Sequence, residues 1–139
     1  MTFTTSKDDQ AFKQRMENGE FPAADFNHRA HLRLAYVYLC EADTDGATDK
    51  MRHTLNQFLI RNGVDPAKFH QTLTQAWILA VHHFMNQAGT AGSADDLIDR
   101  YPQMLDTHIM LTHYSADLLF SDAARHAFVE PDIDAIPRY

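Results

Sequence analysis

Cysteine is almost missing from this sequence. Cys40 stands alone, so no internal disulfide can form and no cysteine-based metal motif exists. A lone thiol fits a reducing compartment, which makes the cytoplasm the expected location. Long apolar runs are missing as well. The longest aliphatic run in a helical stretch, "AWILAV" at 76–81, falls far short of the roughly 20 residues that cross a bilayer, so no membrane partner is expected. The opening "MTFTTSKDDQ" lacks a basic start followed by an apolar block and does not read as a secretory leader. Positive charge is scarce and scattered. Lys and Arg number 12 against 19 Asp and Glu, for a formal charge of −7; with no basic cluster to meet a phosphate backbone, nucleic acid is not an expected partner. Glycine is sparse, and its one dense stretch, "GTAGS" at 89–93, follows no strand and so is a joint rather than a nucleotide loop.

Strand alternation, internal repeats and low-complexity segments are also absent, and what remains is helical periodicity. With 139 residues and 45% hydrophobic content, the chain fits one domain spanning 1–139 that buries a core without staples. The expected class is all-α, a single-domain helical bundle of about five to seven helices. Ser6 and Asp9 form a capping box that opens a helix over 7–18, stopped by Gly19. Asn27 caps a helix over 28–42, and a third runs over 46–62 with Met51, Leu55 and Phe58 on one stripe. Asp65 and Pro66 start a fourth over 66–88. Ser93 and Asp96 begin a short helix ending near Pro102. Helical spacing continues over 103–113 and 116–128, where Ser115 and Ser121 are plausible caps. The tail "EPDIDAIPRY" is expected to pack as extended chain. Helices 28–42 and 66–88 form the expected central pair, packed antiparallel or nearly so, with their polar ends meeting in a pocket.

The chain carries nine histidines, and placement decides what they mean. His28, His31, Leu32, Ala35 and Leu39 fall within about 100° of arc on the second helix, so both histidines lie on its apolar face. His70 and Thr74 lie in the core stripe of the fourth helix with Phe69, Leu73 and Trp77. His53, His82 and His83 fall away from the apolar stripes and read as solvated. His113, beside Tyr114 at a helix break, is a better pocket candidate than His108, whose helical phase is uncertain.

Three readings compete for this constellation. The first is a mononuclear zinc- or iron-like metal site: His28 and His31, three apart on a helix, present two imidazoles to one ion, with His70 or His113 as third ligand. The chain lacks H-E-x-x-H and the E-x-x-H pairs of di-iron bundles. The second is a metal-free pocket for a small acidic ligand, where Asn27, Arg29 and the free N–H groups of the helix start donate to an anion. Trp77 would then be a wall and Thr74 a hydrogen-bond partner, with His28, His70 or Tyr114 carrying proton chemistry. The third is a non-enzymatic structural or interaction domain whose buried histidines meet backbone carbonyls and only specify packing. Finding His28 and His70 far apart, or each locked to a local carbonyl, would sink the reading that joins them in one site.

Taken together, "FNHRAHLRLAYVYL", "KFHQTLTQAW", "HYSADLLFS" and "FVEPD" resemble the sequence blocks of a small family of bacterial all-α proteins of unknown function. The resemblance spans about residues 12 to 133 and implies a bacterial single-domain protein. It brings no activity with it, although His28, His31, His70, His113 and Tyr114 fall within its blocks.

Overall fold

Each helix start in this chain is written by a side chain that replaces a missing backbone partner. In the computed structural model, which describes residues 2–138, Ser6 Oγ accepts from Asp9 N–H while Asp9 closes the box on Ser6 N–H, opening α1 (Lys7–Asn18). Met1 and Tyr139 lie outside the described residues. Gly19 ends α1 in the left-handed region at φ 82°. A Cβ there would also sit 2.7 Å from Arg61 Cδ. Asn27 caps α2 (His28–Glu41), Asp43 caps α3 (Thr44–Arg61) and Ser93 caps α5 (Ala94–Arg100). Asp43, read as loop, accepts from Gly46 N–H and starts α3 two residues earlier than the spacing predicts.

The fourth helix departs further from expectation. Asp65 and Pro66 open only a 3₁₀ turn, Pro66–Lys68, and α4 begins afresh at Gln71 and runs to Ala88. His70, placed by periodicity in the helical core stripe, has extended φ/ψ and is the N-cap of α4. Beyond α5, the expected helix over 103–113 is two 3₁₀ turns, Pro102–Leu105 and Thr107–Thr112. The stretch 116–128 divides at Ser121 into α6 (Ala116–Leu119) and α7 (Asp122–His126), with Ser115 and Ser121 as their caps. A parallel pair of two-residue strands, β1 (Thr2–Phe3) and β2 (Thr90–Ala91), is too short to show alternation. The architecture is all-α, a helical bundle with this one small strand pair.

The core is built by α2, α3 and α4 packing on one another. Leu34, Ala35, Val37, Met51, Ala76 and Ile78 are wholly shielded; each large side chain among them contributes about 2 kcal/mol by leaving water. The central pair is not antiparallel. His28, at the start of α2, meets Trp77 in the second turn of α4, and Tyr36, further along α2, donates to Ala91 O beyond the end of α4. Both helices therefore start at the same end and run the same way, because α3 returns the chain between them. One polar cluster crosses the peripheral elements: buried Asp9 accepts from Arg33 Nε at 2.9 Å and from Ala94 N–H at 3.0 Å, tying α1 to α2 and α5. No helix is long and apolar enough to cross a membrane among the described residues.

Candidate functional site

Because α2 and α4 run in the same direction, their N-terminal ends lie side by side, and the irregular segment 102–121 folds across them. Asn27 Oδ1 is taken by Ala30 N–H at 2.9 Å, which leaves its amide nitrogen as a donor. The next residue, His28, turns its ring to that segment, and Nε2 lies 2.8 Å from Met104 O. A carbonyl only accepts, so this nitrogen carries a hydrogen, and in the neutral tautomer Nδ1 keeps the lone pair. The same ring stands edge-on to Trp77, 4.5 Å between centroids, and nearly parallel to the His31 ring at 6.5 Å.

Between these groups lies a cavity of about 670 Å³. Its walls are Phe26, His28, His31, Leu73 and Trp77 from the helix ends, and Thr107, His108, Leu111, Leu119 and Phe120 from the segment above, with Asn27 at the edge. The size and mostly apolar lining with a few convergent polar groups are those of a small-molecule pocket. No Asp, Glu, Lys or Arg lines it. At its rim Leu111 and Phe120 keep 37% and 58% of their surface in solvent, an apolar edge that an occupant would cover.

His31 is the polar centre of this wall. Its ring nitrogens have no hydrogen-bond partner among the described residues, yet no fully buried side-chain nitrogen or oxygen there lacks one. The nitrogens therefore keep some solvent contact, and the residue lines the cavity. Burial, and secondarily the neighbouring His28, lowers its pKa to about 4. His31 is neutral near pH 7 and offers one donor and one acceptor.

The structure brings together His28, His31, Asn27 and Trp77 and disperses the remaining predicted residues. His70 is used up: Nδ1 accepts from Leu73 N–H at 3.0 Å and Nε2 donates to Leu119 O at 2.7 Å. His28 and His70 are thus each held by a carbonyl, and the pair does not share a site. His113 Nδ1 is bonded to Asp134 O at 2.9 Å, away from the cavity. Tyr114 is buried, donates to Val129 O at 2.7 Å, and burial pushes its hydroxyl up to about 12, so it gives up no proton near neutrality. Thr74 is buried in α4 and does not line the cavity. Arg29 turns outward to Asp95 at 2.9 Å and Asp99 at 3.6 Å. The four-histidine metal set is therefore not assembled. Among the described residues no three His, Cys, Asp or Glu side chains converge to hold an ion.

Sequence reasoning missed the far wall of the cavity. His108, ranked below His113, lines it, while His113 holds the tail. Thr107, Leu111, Leu119 and Phe120 lie in 3₁₀ turns and short helices whose phase a 3.6-residue period does not give. Exposed Leu111 and Phe120 were the available signal. A second hollow of about 600 Å³ along α1, edged by Thr5, Lys7, Gln10, Lys13 and Glu17, is a hollow between polar surface side chains and gathers no comparable chemistry.

Fold and cavity together describe a small helical bundle with a cavity at the shared N-terminal end of two parallel helices. The chain matches no family model, no curated protein and no solved structure.

Proposed function

We propose that this protein binds a small molecule in the cavity between the starts of α2 and α4, with His28 and His31 as its polar contacts. The observation that carries this reading is a neutral, unpartnered imidazole, His31, in an otherwise mostly apolar wall. Unpartnered polar groups in such settings are what a ligand satisfies. His28 adds a second possibility on the same site. Its Nε2–H is fixed by Met104 O, which orients the ring and leaves Nδ1 as a proton acceptor, the arrangement from which a general base works. His70, His113 and Tyr114 are instead held by hydrogen bonds to backbone groups away from the cavity.

The test pairs stability with binding in a His28→Ala/His31→Ala double variant. Losing the His28 bond to Met104 O costs about 1 kcal/mol, so the variant is expected to stay folded. Fragments that raise the wild-type melting temperature are expected to give no rise in the variant. A variant that unfolds while the ligand-induced rise persists in the His31→Ala single variant would assign these residues to packing.

A further inference from the structure

The lining of the cavity says which class of molecule fits it, given that the cavity is a binding site as proposed above. Six of its lining residues carry rings: Phe26, His28, His31, Trp77, His108 and Phe120. Ring walls favour a flat occupant, which stacks or meets them edge to face. Charge is what the cavity cannot satisfy. Arg29, next to His28 in the chain, is paired outward with Asp95 and Asp99, so it is not a fixed cation for an anion in the cavity. Asp106, beside the far wall, turns Oδ1 to the backbone N–H and ring of His108 and does not line the cavity. An ion moved from water into this lining would lose hydration without a partner. The polar side chains lining the cavity are Asn27, His28, His31, Thr107 and His108; among them the neutral His31 ring offers one donor and one acceptor, which match an edge presenting both, such as an amide.

We infer that the cavity selects an uncharged, planar aromatic or heteroaromatic compound with an amide-like edge, read by His31 and Asn27. The small acidic ligand expected from the donor-rich helix start is disfavoured, since Arg29 is paired outward with Asp95 and Asp99 and no charged side chain among the described residues lines the cavity.

The probes are three compounds of one shape and different charge: 2-naphthamide, 2-naphthoate and 2-naphthamidinium. Binding is followed by NMR through the indole N–H of Trp77, the only tryptophan in the chain, and the ring C–H signals of His31. The amide is expected to bind at least tenfold more tightly than either ion. Its affinity is expected to fall about tenfold in His31→Leu and to be largely kept in His31→Asn, which restores a donor and an acceptor. If naphthoate or naphthamidinium binds more tightly at the same resonances, the ligand class is wrong while the pocket stands. If the amide binds His31→Leu as well as wild type, reading by His31 is wrong. If none of the three moves Trp77 or His31, the class falls together with the pocket reading.

Discussion

His31 carries a consequence that reaches beyond binding. Its folded-state pKa of about 4 lies below the ordinary histidine value of about 6.5, so the unfolded chain takes up this proton first. Stability from the neutral ring is full above about pH 6.5 and is lost as the pH falls towards about 4. His70 acts in the same direction: burial lowers its pKa, and a proton on Nδ1 would remove the acceptor that Leu73 N–H needs. Because the His31 ring keeps some solvent contact, its share is on the order of 2 kcal/mol rather than the larger figure full desolvation would give. Urea denaturation at a series of pH values is expected to show this decline, and His31→Leu is expected to flatten much of it. An unchanged slope in His31→Leu would show that the ring is protonated as easily in the folded protein as in water.

At the scale of elements, the start of α4 depends on an unusual cap. Histidine performs at position 70 what Asn27, Asp43 and Ser93 perform elsewhere, and it also holds Leu119 O, so one ring joins the helix start to the far wall of the cavity. His70→Ala loses both bonds and is expected to cost about 2 kcal/mol. His70→Asn keeps a capping oxygen but is too short to replace the ring at Leu119 O, and is expected to cost about half as much. Thermal or urea unfolding of the two variants separates the contributions; equal losses would mean that the cap contributes nothing. His28 makes the corresponding bond to Met104 O, so two helix starts hold the two ends of the segment that roofs the cavity.

At the scale of the whole molecule, the chain after α7 closes the structure. Its carbonyls and carboxylate receive Thr72, Tyr114 and Ser115: Thr72 donates to Ala127 O, Tyr114 to Val129 O and Ser115 to Asp132. Ile136 at 5% exposure seals the core edge. Ile136→Ala is expected to lower stability by about 3 kcal/mol in a single cooperative transition followed by both Trp77 fluorescence and far-UV circular dichroism. Two separated transitions would mean that the tail and the roof of the cavity fold apart from the bundle.

What the sequence determined by itself was everything that acts over one helical turn. Ser6 with Asp9, Asn27 and Ser93 start helices because a side-chain oxygen reaches an N–H two or three residues on, and apolar periodicity put α2 and α4 at the centre; these rules need no distant partner. The candidacy of His28 and His31 came from the same periodicity, since both lie on a core-facing arc. The tertiary structure decided the rest. The parallel run of α2 and α4 follows from where α3 packs, the capping role of His70 from the approach of Leu119 O, and the entry of His108 in place of His113 from 3₁₀ turns that carry no readable period. Whether an imidazole is spent on a carbonyl or left open to a cavity depends on which carbonyl arrives, and Met104, Leu119 and Asp134 lie 76, 49 and 21 residues from the histidines they engage.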